Sequence, residues 1–329
     1  MVMKFPIGIQ SFESLRSEGF VYVDKTALVK KLVSEGKCYF LSRPRRFGKS
    51  LLMSTIEAYF KGKKHLFEGL AMAELETEWK EHPVLHLDLN AEKYDKIEDL
   101  NNILDTFLRE WEEEYGSSEG NNPSLSMRFR SVIRSAKQKT GRGAVVLVDE
   151  YDKPILQAIG NEPLQDEFRN ALKAFYGVLK SADADLRFTL LTGVTKFGKV
   201  SVFSDLNNLK DISTSPHFHD ICGISETELH RFFDEQVENL AIYNKQTKDE
   251  AYEELKRRYD GYHFCEDTDG LYNPFSLLWT LSENKYGNYW FSTGTPTYLV
   301  ELLKKNDFHL EDFSNLEVSQ DELDSIHQA

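Results

Sequence analysis

Apolar positions along the chain fall into blocks whose period changes from segment to segment, and those changes mark the elements. KCYFLS, from Lys37 to Ser42, is a short apolar run of the kind a buried strand makes, and a basic loop follows it. From Lys49 to Phe60 the spacing becomes helical, with Leu52, Ile56, Tyr59 and Phe60 on one stripe and Gly62 closing the element. PVLHLDLN, from Pro83 to Asn90, alternates as a strand does. Ile97 to Tyr115 returns to helical spacing, with Leu100, Leu104, Phe107, Leu108 and Trp111 apolar and Glu112 to Glu114 outside. A polar loop over 116–123 separates it from a second helix over 125–139. AVVLV, from Ala144 to Val148, is too short for a helix and fits a strand buried on both faces. A helix over 164–180 and the strand LRFTLLT, Leu186 to Thr192, complete the alternation.

Strands alternating with helices predict an α/β fold whose mostly parallel sheet is covered on both sides. Past Ser225 the pattern changes to helices over 226–240, 248–259, 274–283 and 297–305, with no strand expected between them. The organisation expected is a lead-in over 1–36 packed on the core, a core over 37–224 and a helical, lid-like unit over 225–310. The acidic, weakly periodic stretch over 311–329 reads as a linker or the truncated start of a further domain.

The chemistry begins at the junction of the first strand and the first long helix. Arg43-Pro44-Arg45-Arg46-Phe47-Gly48-Lys49-Ser50 aligns with the phosphate-loop pattern Gly-x-x-x-x-Gly-Lys-Ser/Thr. Gly48 lets backbone N–H groups close round phosphates, Lys49 neutralises them, Ser50 ligates magnesium, and the helix from Lys49 through Leu51 turns its positive end to the anion. Arg43 stands where the first glycine belongs. Three arginines in four residues offset that loss, since each guanidinium donates paired hydrogen bonds to phosphate oxygens. GKS alone is a weak signal; its place between strand and helix is what carries it.

A phosphate loop of this kind needs an acid at the end of a neighbouring buried strand. AVVLVDE supplies Asp149 to order the magnesium shell and Glu150 to activate water. In the branch of P-loop folds that uses a catalytic glutamate, the fourth strand lies between the first and third and offers a polar residue to the terminal phosphate. Thr192 is that candidate, with Thr195 and Lys196 as competitors, and a plain strand cap is an equal reading.

Composition narrows the setting. A chain of 329 residues that is 40% hydrophobic and 29% charged has the balance of a folded soluble protein with one large and one small unit. No segment approaches the length of a membrane helix and the first residues lack a leader pattern, so a cytoplasmic protein with no membrane partner is expected. Cys38, Cys222 and Cys265 are odd in number and far apart, and are expected to be reduced, buried small hydrophobes. A net charge of -14 disfavours indiscriminate nucleic-acid binding. A basic run, Arg128, Arg130, Arg134, Lys137, Lys139 and Arg142, is either a solvated helix face or a phosphate-facing patch. His263 has no second histidine at ligand spacing.

SRPRRFGKS, VYVDKT (Val21 to Thr26), LVDEYDKP (Leu147 to Pro154), TGVTKFGKVSVFSDLNNL (Thr192 to Leu209) and YDGYHF with LYNPFSLL together resemble the AAA-ATPase-like family. That resemblance covers nearly the whole chain and makes Arg43 a family feature. It implies an ASCE-type P-loop core, a helical lid, ATP and Mg2+ as ligands, and usually a PD-(D/E)XK nuclease-like domain after the ATPase part. The sequence past Asn315 leaves no room for that domain, so the chain is expected to correspond to the ATPase part. Tyr22, Asp24, Lys25 and Thr26 lie where a base could rest, though capping of the helix starting near Thr26 is the better reading. Asp260, Gly261 and Tyr262 read as a turn packed on the core.

Two functions follow from these residues. One is Mg-dependent ATP binding and hydrolysis that drives or gates movement of the lid, with Glu150, Lys49 and Thr192 as the catalytic set. The other is a non-catalytic, nucleotide-regulated interaction module acting with a nuclease-like or nucleic-acid partner. An arginine finger, absent from the motifs, would come from another subunit of a homo-oligomer. A small-molecule kinase is disfavoured, because no acceptor-binding signature is present and Glu150 suits water better than an alcohol.

Overall fold

The computed structural model describes residues 3–117, 123–194, 202–203, 206, 208–265 and 268–289. Five strands form one all-parallel sheet: β1 (Cys38–Ser42), β2 (Val84–Asp88), β3 (Ala144–Asp149), β4 (Leu186–Gly193) and β5 (Lys210–Asp211), in the order β2-β3-β4-β1-β5. β4 therefore runs between β1 and β3, the arrangement expected of the glutamate-using P-loop branch. The edge strand β5 is only two residues long, too short to leave a pattern in the sequence.

The apolar runs have the cause their composition suggests. Along β3 every residue is buried, and side chains alternate between two separate cores. Val146 and Val148 join Phe40, Leu85, Leu87 and Leu191 on one face, against α5 (Ile97–Tyr115), α6 (Leu125–Thr140) and α8 (Glu162–Ser181). Val145 and Leu147 join Tyr39, Leu41, Phe188 and Leu190 on the other, against α2 (Thr26–Glu35) and α3 (Lys49–Phe60). Of the short helices, α1 (Phe12–Ser17) packs on α3, α4 (Ala71–Leu75) on α2 and α7 (Lys153–Gln157) on α8.

A third apolar cluster belongs to α9 (Glu226–Tyr243), α10 (Lys248–Tyr259) and α11 (Pro274–Glu283). Ser225 starts α9 with a capping box to Glu228, and Thr247 starts α10 with one to Glu250. The absence of strands expected here is corrected: β6 (Ile224–Ser225) pairs antiparallel with β7 (Leu271–Tyr272). Two-residue strands carry no alternation to detect.

The lead-in is divided between two clusters. Phe12, Val29, Leu32 and Val33 pack with the sheet core, whereas Phe5, Ile7, Val21 and Val23 pack on the helical unit. Lys25 ties the two with a 2.6 Å ion pair to Glu228, inside the α9 capping box. Asp24 accepts from the Thr26 amide and hydroxyl, at 2.9 and 2.6 Å, and from the Ala71 amide at 2.8 Å, so it caps α2 while fastening it to α4.

Cys38 and Cys222 are buried, and burial pushes the Cys38 thiol up to about 12. Cys265 departs from expectation in being only half-buried, in the turn after α10. Among the described residues no helix is long and apolar enough to cross a membrane. The helix expected over 297–305 and the stretch over 311–329 lie outside the described residues.

Candidate functional site

β1 delivers the loop. Arg46 and Gly48 both take left-handed backbone, with φ of 64° and 93°. Nothing lies within 4 Å of a Cβ at Gly48, so glycine is required there for its backbone and not for space. Such turns gather N–H groups into anion-binding concavities. α3 begins directly after Gly48 with no side chain capping its first turn, which leaves that turn's amides for an anion.

Beyond Gly48, the chemistry assembles as its residue types require. The Ser50 hydroxyl donates to Asp149 Oδ2 at 2.5 Å, joining α3 to the end of β3. The other oxygen of Asp149 accepts from Thr192 Oγ1 at 2.6 Å. Asp149 is buried, so both of its oxygens are oriented by hydroxyls in a place where an unoriented charge would be costly. Lys49 Nζ lies on the carbonyls of Arg43 and Pro44, at 2.9 and 3.1 Å. Glu150 follows Asp149 with a φ of 53°, a left-handed conformation that costs a side-chain-bearing residue roughly 1–2 kcal/mol. Burial raises its carboxyl above the ordinary range; Asp149 adds to that, and Lys49 and Lys153 oppose it.

Two adjoining cavities meet at this point. One, of about 360 Å3, is lined by Arg45, Arg46, Lys49, Ser50, Asn90 and Glu150, and is closed on one side by Pro6 to Gln10 and by α11. The second is smaller, about 90 Å3, largely apolar, and reaches Gly48 and Leu51 from behind through Tyr22, Val23, Ile221 and Leu278.

Not every candidate comes to the cavity. Three loop arginines are expected on phosphate, and Arg43 is not: the residue is 1% exposed and its guanidinium points into the interior. Nη1 donates to the Ser42 and Ser213 carbonyls at 2.9 and 2.7 Å, and Nη2 to those of Phe218 and His219 at 3.3 and 3.0 Å. The ring of Phe264 lies 3.9 Å from the guanidinium carbon. Burial brings Arg43 down to about 10, opposed by Cys222, Asp211 and Asp220. Phe47 is likewise fully buried, with Tyr262 and Phe264 at 4.9 and 5.3 Å between ring centres. Gly223, at φ 94°, allows this, because a Cβ there would come within 2.6 Å of the Phe47 ring. YDGYHF is thus the turn packed on the core that its residues suggest, and it is the wall of the loop.

Arg45 and Arg46 are exposed, and Arg46 stacks on Phe275 of α11 at 4.1 Å. Pro44 is half-buried. Thr192 is fully buried and bonded to Asp149 instead of lining the larger cavity. Thr195 and Lys196 lie outside the described residues. In the basic run, Arg128 is taken up by Asp105 and Glu112 at 2.5 and 2.7 Å and Lys137 by Asp185 at 3.1 Å, while Arg130 and Arg134 are exposed.

Sequence reasoning passed over four residues here. Asp88 sits in register beside Asp149 and is raised by burial, then by the Asp149 charge. Asn90 and Lys153 line the cavity and are hydrogen-bonded to each other. Asp152 is fully buried and accepts the Val194 amide at 3.1 Å, holding the exit of β4 beside that of β3. Their signal was present in LHLDLN and DEYDKP as polar residues at the ends of buried strands.

The donors fit nucleotide and metal. Ser50 and Asp149 are hard oxygen ligands already within contact of each other, as magnesium asks. The uncapped start of α3, Lys49 and two exposed arginines suit a polyphosphate.

Comparison with known proteins agrees. Residues 6–203 match the model of a family described as predicted AAA-ATPase. The chain is also 39% identical over 301 residues to an uncharacterized protein in the vnfD 5′ region of Azotobacter chroococcum mcd 1. The match covers 91% of this chain and 56% of that relative, so the chain spans about half the relative's length. On its loop, its strand order and the family match, the chain belongs to the AAA-ATPase-like family, a membership that points to ATP as its ligand.

Proposed function

We propose that the protein binds Mg-ATP in the larger cavity and hydrolyses it. The observation that carries this reading is the Ser50–Asp149–Thr192 chain of hydrogen bonds with Glu150 next to it. Lys49 and the amides of the loop hold the phosphates, and Lys49 also offsets charge that develops on them. Ser50 and Asp149 would hold Mg2+, which supplies charge neutralisation when bound. Glu150 orients and deprotonates the attacking water, and its burial suits a base that needs a carboxyl above the ordinary range. Thr192 keeps the Asp149 carboxylate in one orientation. The apolar cavity behind Gly48 takes the base.

Movement of the helical unit follows from where the loop is anchored. Arg46 stacks on Phe275 of α11, and Phe47 packs on the turn leading from α10, so rearrangement of the loop on binding nucleotide is felt by both. The same contacts favour a second reading, a switch that binds nucleotide without turning it over and signals to a nuclease-like domain, a nucleic acid or another copy of the chain.

Phosphate release from Mg-ATP separates the two. The hydrolytic reading expects turnover by the wild type and a fall of about 10^2-fold or more in Glu150→Gln, with nucleotide affinity retained. Nucleotide binding with no turnover under any condition would leave the switch. For nucleic acid, Arg130 and Arg134 are the test, through salt-dependent binding that disappears when both are reversed to Glu.

A further inference from the structure

α7 opens three residues after the strained Glu150, and its first residue is Lys153. Pro154 follows, buried, so the start of the helix is fixed in place. The Lys153 ammonium donates to the side-chain oxygen of Asn90, just beyond the end of β2. Both residues line the larger cavity together with Lys49, Ser50 and Glu150.

Arg43, Lys49 and Arg46 are each engaged within the protein: on interior carbonyls, on the loop's own carbonyls and on the ring of Phe275. Arg45, though exposed on the cavity lining, belongs to the loop before Gly48 and not to the end of β3 where Glu150 lies. Among the described residues Lys153 forms no ion pair, and its partner is a neutral amide. An ammonium on a flexible four-carbon stem exchanges such an acceptor readily for a charged oxygen, because a charge-assisted bond to an anion is the stronger. The loop amides and Lys49 approach the β- and γ-phosphates from the loop side. A cation on the opposite wall, beside Glu150, meets the outer face of the terminal phosphate, where water must attack.

Resting on the nucleotide reading above, we propose that Lys153 contacts the terminal phosphate of a bound nucleoside triphosphate, so that the site distinguishes triphosphate from diphosphate. Asn90 parks the ammonium at the cavity wall in the absence of that phosphate. The chain thereby carries its own cation for the terminal phosphate, without an arginine supplied by a second copy.

Binding, not turnover, is the decisive measurement. Affinities for ADP and for a non-hydrolysable ATP analogue, each with Mg2+, are compared in the wild type, Lys153→Met and Lys153→Arg by calorimetry. The wild type is expected to prefer the analogue, Lys153→Met to lose that preference by about tenfold with ADP affinity unchanged, and Lys153→Arg to keep most of it. Lys153→Gln serves in the same comparison should the methionine variant not fold. The inference is overturned if the preference survives removal of the ammonium, if ADP and analogue weaken in parallel, or if the wild type binds both equally. Those results leave the nucleotide site standing. Failure of the wild type to bind either nucleotide removes the nucleotide reading and this inference with it.

Discussion

Two sets of residues, interleaved along the phosphate loop, are put to opposite uses. Arg43 and Phe47 face inward: a guanidinium on four carbonyls and a ring against two others. Arg45, Arg46, Lys49 and Ser50 line the cavity, and the first turn of α3 is uncapped. The inward set does structurally what a glycine does conformationally elsewhere. Instead of a flexible backbone that wraps the anion, the loop has a side chain that clamps its entry to the segment from Ser213 to His219. The loop's positive charge is consequently smaller at the cavity than its sequence advertises.

If that division is right, substitutions in the two sets should differ in kind. Phe47→Ala should be the most damaging, because it empties a fully buried aromatic site; a loss of about 3–5 kcal/mol is expected in chemical denaturation. A stable Phe47→Ala protein with only weakened nucleotide binding would place the ring in the wrong set. Arg43→Met keeps volume but strips the donor from four carbonyls, and should destabilise by about 3 kcal/mol. Its nucleotide affinity, measured well below the denaturation midpoint, should be affected far less than its stability. Arg45→Ala should do the reverse, changing stability by less than about 0.5 kcal/mol while weakening nucleotide affinity several-fold. The comparison would collapse if Arg43→Met and Arg45→Ala behaved alike.

What was legible in the sequence was whatever is local. Lys49 to Phe60 and Ile97 to Tyr115 repeat apolar residues at helical spacing, and both helices have those bounds. GKS after a strand and DE at the end of another predict a shared site because each motif is set by its own element, and Ser50 and Asp149 do meet. Arg43 was not legible in the same way. Its partners are supplied by Ser213, Phe218, His219 and Phe264, whose proximity depends on β5 pairing with β1 and on the turn after α10. Lys153 and Asn90 illustrate the same limit: each looks like an ordinary polar loop residue until β2 and β3 are set in register.

β1 occupies an interior position of the sheet, although its residues come near the start of the chain. Both of its neighbours come much later: Cys38 pairs with Thr189, and Tyr39 with Lys210. A ribosome therefore releases the phosphate loop well before anything that can hold it. β2 and β3 can pair with each other earlier, but β1 has no place beside β3 until β4 arrives between them. Closing so long a loop is slow, and the apolar strand CYFLS stays unpaired meanwhile. The strand that carries the phosphate loop is thus held on both sides by residues from the downstream half of the chain.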